Sequence, residues 1–446
     1  METHKLLNEY RHLANFPAIA QGAAAWAKAH PTGTEAELLA WVEAEFACSP
    51  QLTMAAAPAP FAMFGAPEQH IPLGAVEQMN EVMRLPIARR GALMPDAHPG
   101  YAMPIGGVVS LERAISPSFV GYDISCMMQL SLVDLTPEDF MAARPYLADV
   151  LRAETAFGLG ANFAAGAREH AVMDDPRWRE IGVLTGLKPL AQQQLGSSGG
   201  GNHFADLVVV DFVRDHEAYC AGDLAVGLLT HSGSRGVGHK TATYYVQQAA
   251  RATRGIARDI PAGYEWLDLA TEWGQEYLTA MQLMGDYAHA NHDLIHDHFV
   301  AAAGLHCDYR VWNRHNYAWV NEEGVVHRKG ATPAAVGDIG IIPGSSGTPS
   351  YLVRGLGNAA SLNSSSHGAG RWFSRKEAKR RHDEQAFLQH MAAQDILHFG
   401  LAPDETFQAY KDIEMVIGLQ AGVLVEVIAK MTPKVVIMGG MSDDGD

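Results

Sequence analysis

LAVGLLTHSGSRGVGH, residues 224–239, decides how the chain is read. LAVGLLT (224–230) is an apolar run that predicts a strand. It ends directly on His231, and Ser/Gly turns follow at once. A strand that stops at a histidine delivers an imidazole to a sheet edge, where ligands are commonly held. Upstream, DLVVVDFV (206–213) predicts a second strand. Downstream, 272–303 predicts one long helix, and 375–393 predicts another. No clean boundary and no internal repeat interrupts 61–446. The expectation is one large α/β (α+β) domain over 61–446, its central sheets flanked by helices.

Residues 1–60 stand apart. The stretches 6–30 and 34–46 predict helices, the second opened by a capping box of Thr34 and Glu37. PQLTMAAAPAP (50–60) reads as a linker.

Composition narrows the function. The 446 residues are 48% hydrophobic and 19% charged, too apolar for a disordered chain. The 44 Gly and 22 Pro follow no three-residue period, which excludes a collagen-like chain. No apolar run reaches the ~18 residues of a membrane span. The N-terminal METHKLLNEYRH lacks the apolar core of a signal peptide. A cytoplasmic protein without membrane contact is expected. Cys48, Cys126, Cys220 and Cys307 make no CxxC pair and read as reduced thiols. The formal charge of -17 opposes non-specific polyanion binding, so nucleic-acid contact needs a local basic patch.

Seven segments share one style, and all but 315–316 (HN, within the polar NRHN) place His, Asp or Cys beside glycines: 94–107 (MPDAHPGYAMPIGG), 121–126 (GYDISC), 196–206 (GSSGGGNHFAD), 230–239 (THSGSRGVGH), 327–350 and 363–371 (NSSSHGAGR). Glycine allows close backbone approach to a ligand, and successive amides in such turns form anion-binding nests. Asp123, Cys126, His203, His231 and His315 make a mixed O/S/N set that suits zinc, manganese or iron better than magnesium or calcium. GSSGGGN, PGSSGTPS and HGAGR offer phosphate-binding amides, although no GxxxxGK[ST] loop is present. After HGAGR come Arg371, Arg375, Lys376, Lys379, Arg380 and Arg381, with 371, 375 and 379 on one helix face. These read as a solvated face or as phosphate and RNA contacts. His289, His292 and His296 share a face of the long helix and read as structural, since neither glycine nor thiolate adjoins them.

These motifs, in this order, resemble the RtcB family of RNA ligases from about Phe61 to Gly439. The resemblance implies joining of RNA 2′,3′-cyclic phosphate or 3′-phosphate ends to 5′-hydroxyl ends, with GTP and two Mn²⁺ per chain as cofactors. The family's helper protein archease enters as a candidate partner. By motif, the metal ligands are Asp123, Cys126, His203, His231 and His315, with Cys126 bridging, and the nucleophile is His367. The nucleotide pocket takes Asn202, His203, Phe204, Ala205, Asp206, His315, Asn316, Pro343, Gly344, Ser345, Ser346, Ser350, His367, Gly368, Ala369, Gly370 and Tyr410. Asp96 and His98 are acid/base candidates. Independently of the resemblance, the basic run supplies Arg371, Arg375, Lys376, Lys379 and Arg380 as candidate RNA contacts, with a solvated face as the alternative.

The chain departs from the family pattern in three places. Met438 stands where a guanine-contacting lysine is usual, Asp206 replaces a glutamate, and Ser125 replaces a glycine. The first two bear on base recognition, because methionine cannot donate a hydrogen bond. Two other functions share these residues: a metal-dependent phosphoesterase that opens cyclic phosphates without ligation, and a non-catalytic RNA-binding protein.

Overall fold

The computed structural model describes residues 6–10, 16–46, 52–164, 166–257 and 259–440. Cys48 and the acidic tail 442–446 lie outside them. The centre is an eight-stranded sheet. Seven strands run in the order Ile339–Ile342, Ser350–Gly355, Val425–Met438, Phe204–Phe212, Leu224–Ser232, Met127–Val133 and Cys307–Arg314, each antiparallel to its neighbours. Leu397–Phe399 adds in parallel to the end of Val425–Met438. The outermost two of the seven meet: the Asn313 amide donates to the Ile341 carbonyl at 3.3 Å and accepts from its N–H at 3.0 Å. The sheet therefore curls toward closure.

Strand periodicity sorts its side chains. Met128, Leu130, Leu132, Val208, Val210 and Leu229 fill the inside. Leu207, Val226, Leu228 and Val435 face outward, against the helices Pro137–Glu154 and Glu272–Ala303. A five-stranded sheet lies against this one, in the order Phe61–Met63, Ala88–His98, Ile105–Leu111, Gly324–Lys329 and Asn316–Asn321. Ala92, Met94 and Val108 of the smaller sheet pack on Tyr351, Val353 and Val425 of the larger. This mixture of sheets and helices is the α/β class expected.

Both strands expected from sequence are present, as Phe204–Phe212 and Leu224–Ser232. The long helix is Glu272–Ala303, capped by Thr271 and stopped at left-handed Gly304. The expected helix 375–393 is instead two helices, Arg375–Arg381 and Glu384–Ala393. Asp383 causes the break: its carboxylate accepts from the Ala386 N–H, which holds its own backbone extended as an N-cap. Val425–Met438 is not among the expected strands. Pro433 interrupts its pattern, and a register shift between Pro433 and Val435 absorbs the missing donor.

The N-terminal helices Phe16–Ala29 and Glu35–Phe46 bury Ile19, Ala23, Leu38 and Val42 in a core of their own. The Thr34–Glu37 capping box is formed, with bonds of 2.8 and 3.2 Å. The described part of the expected linker is tied down: Leu52, Ala55 and Ala59 donate their N–H groups to the carbonyls of Ile256, Arg84 and Met83. Among the described residues, no helix is long and apolar enough to cross a membrane.

Candidate metal and nucleotide site

At one mouth of the curled sheet the inward positions change from apolar to ligating. His231 lies opposite both Phe204 and Met128, and Met128 lies opposite Asn313. Met128 points into the interior, so His231 does too. Cys126 and His315 continue the same alternation just beyond their strands. Loops 121–126 and 196–203 add Asp123 and His203. Cys126 Sγ is 3.0 Å from His231 Nε2 and 3.4 Å from His203 Nε2. Asp123 Oδ2 is 2.9 Å from His203 Nε2, and His315 Nε2 is 3.2 Å from His231 Nε2. All five expected ligands thus converge, and Cys126, His203 and His231 offer donor atoms within 4.8 Å of one another. Gly233 permits the closeness, since a side chain there would collide with the Asp123 carboxylate.

The proton inventory fits a cation. His203 Nδ1–H donates to the Ser198 carbonyl at 3.1 Å, and His231 Nδ1–H to the Asn202 carbonyl at 3.0 Å. Each Nε2 is then a lone pair aimed into the cluster. There they meet a carboxylate, a sulfur and the His315 nitrogen. Even with one proton from Cys126 and one from His315, whose Nδ1 has no partner, the contact between Asp123 and His203 Nε2 is left without any. Burial pushes His231 and His315 well below the usual imidazole range, which favours neutral, ligating rings. Burial pushes the Asp123 carboxyl up and the Arg235 charge pulls it down; with the His203 proton on Nδ1, the carboxylate and His203 Nε2 face each other as two lone pairs, the arrangement a cation satisfies. The Cys126 thiol is raised by burial and by Asp123. A bound cation reverses that order, because it stabilises the thiolate directly.

His367 sits beside this cluster, its ring centroid 4.9 Å from that of His315. Buried Asp96 holds it: one carboxylate oxygen accepts from His367 Nδ1–H at 2.7 Å, from the His367 N–H at 3.1 Å and from the Gly368 N–H at 3.3 Å. Burial raises the Asp96 carboxyl, yet His367 and Lys411 together bring it below its ordinary value. Gly370 lets the HGAGR turn approach, because a Cβ there would strike the Asp96 backbone, and its φ is +73°. His98 donates Nδ1–H to the Asp96 carbonyl at 3.0 Å, and burial lowers it to about 4.

The nucleotide candidates spread around the same mouth. Asn316 accepts from the Gly330 N–H at 2.9 Å and donates to the Asp123 carbonyl at 3.4 Å. In 343–350, Gly344 donates to Ser350 Oγ and Ser345 to Thr348 Oγ1, while the Ser346 hydroxyl is buried without a partner. Asp206, Phe204, Val436 and Met438 share one face of two paired strands. Phe204, Val436 and Met438 pack with Phe387 and Met391. In this surround burial raises the Asp206 carboxyl well above its usual range, and its Oδ1 has no partner. Ala205 points the other way, into the outer core. The Tyr410 hydroxyl bonds Glu405, and the Arg371 guanidinium lies 5.1 Å from its ring centre.

The basic segment divides. Arg371 bonds Glu405 and the Asp404 carbonyl, and Arg375 bonds both the Asp404 and Glu405 carboxylates. Arg380 and Arg381 share Glu377. Lys376, Lys379 and Arg380 are exposed.

Three features escape the sequence reading. Lys411, lowered by burial to about 8, donates to the carbonyls of Pro95 and Ala97 on either side of Asp96, at 3.1 and 2.7 Å. Arg235 holds a left-handed φ of +58° and donates to Ser197 Oγ at 3.2 Å. Its signal is a lone arginine within SGSRG. The Asp404–Glu405 pair is signalled only by two adjacent acids five residues before Tyr410.

The profile described as tRNA-splicing ligase RtcB matches residues 78–439. The "RNA-splicing ligase RtcB" of Mycobacterium tuberculosis is 32% identical over 80% of this chain and 98% of its own length. The "tRNA-splicing ligase RtcB" of Thermococcus kodakarensis is 31% identical over 82% of this chain and 91% of its own. The "RNA-splicing ligase RtcB" of Escherichia coli K12 is 31% identical over 81% and 93%.

Proposed function

The chain belongs to the RtcB family, and on that premise we propose that it is an RNA ligase working through a nucleotide-bound His367. The substrates are RNA ends bearing a 2′,3′-cyclic phosphate or 3′-phosphate and a 5′-hydroxyl. The observation that carries this reading is the 2.7 Å Asp96–His367 contact, set beside a convergent O/S/N ligand cluster.

An ionised Asp96 compels His367 Nδ1 to carry the proton, so Nε2 keeps its lone pair. Nε2 attacks the α-phosphate of GTP, an N–P bond forms, and the bond to pyrophosphate breaks. Asp96 balances the positive charge growing on the imidazole, as a carboxylate does beside any histidine nucleophile or base. A 2′,3′-cyclic phosphate is first hydrolysed, water breaking the P–O2′ bond to leave a 3′-phosphate; the nucleotidyl group then passes to a 3′-phosphate oxygen as the N–P bond to His367 breaks, and the 5′-hydroxyl displaces the nucleoside monophosphate. Asp123, Cys126, His203, His231 and His315 hold two Mn²⁺, which when bound withdraw charge from phosphate oxygens. His98 fixes the strand end that carries Asp96, and Lys376, Lys379 and Arg380 face the RNA backbone.

Base selection is weakened. Buried Asp206 favours its neutral form, and Met438 offers no donor. GTP is therefore preferred over ATP by less than a lysine-bearing pocket would give. A phosphoesterase would use the same metals but has no need of the Asp96–His367 pair.

Incubation with labelled GTP and Mn²⁺ tests the proposal. Acid-labile, base-stable label on the protein and its absence from His367→Ala are expected, together with joining of the RNA ends. Label on His367→Ala would remove His367 as the nucleophile and favour the phosphoesterase.

A further inference from the structure

Among the described residues, the exposed large aromatic side chains are Tyr101, Tyr122, Tyr146, Trp312 and Trp372. Tyr101 and Tyr122 lie in two loops that carry site residues. Tyr101 follows His98 by three residues, and Tyr122 immediately precedes Asp123. They come from separate elements yet touch. The two rings meet edge to face at 6.4 Å and 84°, and Tyr122 stacks on His239 at 5.3 Å and 29°. His239, on helix Arg235–Arg254, is exposed, as is Lys240 beside it. The row begins next to a metal-cluster residue and grows more open away from it, from 37% exposure at Tyr122 to 66% at Tyr101.

We propose that Tyr101, Tyr122 and His239 form a stacking platform for the unpaired bases that adjoin the reacting RNA end. The inference rests on the RNA-ligase reading and adds a substrate subsite to it. If the terminal phosphate lies at the cluster, the bases next to it leave the site past Tyr122, the chain neighbour of Asp123, and then Tyr101, which touches it. Every base has a π face, so such a platform grips an end without reading its sequence. It also answers an electrostatic difficulty. A chain of charge -17 attracts RNA weakly at long range, and base stacking supplies attachment that does not depend on charge.

The test is binding of two dye-labelled oligoribonucleotides, one ending in 3′-phosphate and one beginning with 5′-hydroxyl, to the full-length Mn²⁺-loaded protein. Each is compared with a copy whose terminal nucleotides are abasic. The wild type is expected to bind at least one normal oligonucleotide ~5-fold or more tightly than its abasic copy. The oligonucleotide showing the difference identifies the strand on the platform. Tyr101→Ala and Tyr122→Ala should lose that advantage and bind the abasic copy as before, while Tyr101→Phe and Tyr122→Phe keep it. Metal content is measured on the same preparations. Tyr101→Ala decides the matter if Tyr122→Ala disturbs Asp123. Equal loss for normal and abasic RNA, or no loss, overturns the platform. Ligation assayed in parallel separates the two claims. Ligation without base-dependent binding overturns the platform alone. Base-dependent binding without ligation overturns the ligase reading and supports the platform.

Discussion

Thr230 and His231 are neighbours on one strand, point to opposite faces, and serve two unlike histidine clusters. On the outer face, His292 and His296 of the long helix are fully buried, and every ring nitrogen is satisfied. His292 Nε2–H donates to the Ser232 carbonyl at 3.2 Å, and Thr230 donates to His292 Nδ1 at 2.7 Å. His296 Nε2–H donates to Thr230 Oγ1 at 2.7 Å, and Ser131 donates to His296 Nδ1 at 2.8 Å. Donors and acceptors alternate, and both rings stay neutral; burial lowers His292 to about 3. On the inner face, the Nε2 lone pairs of His203 and His231 crowd together with the Asp123 carboxylate and the Cys126 sulfur, and protons are too few for the contacts. Two clusters of similar burial therefore differ in proton inventory: one is complete in itself, and the other is a set of donor atoms that a cation would satisfy.

The comparison breaks most sharply at its hinge. His231→Ala should cost Mn²⁺ affinity more than the ~10–100-fold seen when a group that only orients a ligand is lost, as read by equilibrium dialysis. Thr230→Val should retain the metal. It leaves a His292 acceptor and a His296 donor buried without partners, at ~1–3 kcal/mol each. Urea denaturation should therefore show a loss of ~2–6 kcal/mol. Metal loss without loss of stability in this variant would mean that the outer cluster is not the self-sufficient one.

A smaller effect is expected at the base. Met438→Lys should raise GTP preference over ATP by ~5- to 150-fold, the value of pairing one buried group, measured by competition for covalent label. An unchanged ratio would place base reading elsewhere. The smallest effect concerns Ser125, buried in the left-handed region at φ +57° with an unpartnered hydroxyl. That geometry costs a non-glycine residue ~1–2 kcal/mol, partly offset by the greater chain freedom of glycine. Ser125→Gly should stabilise the protein by about 1 kcal/mol in the same denaturation assay.

Much of the site is legible in sequence, because its residues sit in glycine-rich turns where a purely structural histidine has little reason to be. Asp123, Cys126, His203, His231 and His315 come from four stretches that the sheet register brings to one mouth. The structural reading of His292 and His296 follows from their regular helical spacing without glycine. What stays hidden depends on partners far along the chain. Arg371 and Arg375 read as basic surface because their acids, Asp404 and Glu405, come some thirty residues later. Lys411 gives no sign that it grips the backbone around Asp96. Pro433 masks the longest strand, and Asp383 looks helical until its side chain is seen to cap.

The central claim is that the inner cluster is incomplete without metal and is organised around Cys126. Metal analysis of the full chain after equilibration with Mn²⁺ and removal of free ions tests it most directly. The account predicts two ions per wild-type chain and fewer than one in Cys126→Ala. A Cys126→Ala protein that still holds two ions, or a wild type that holds none, would contradict it.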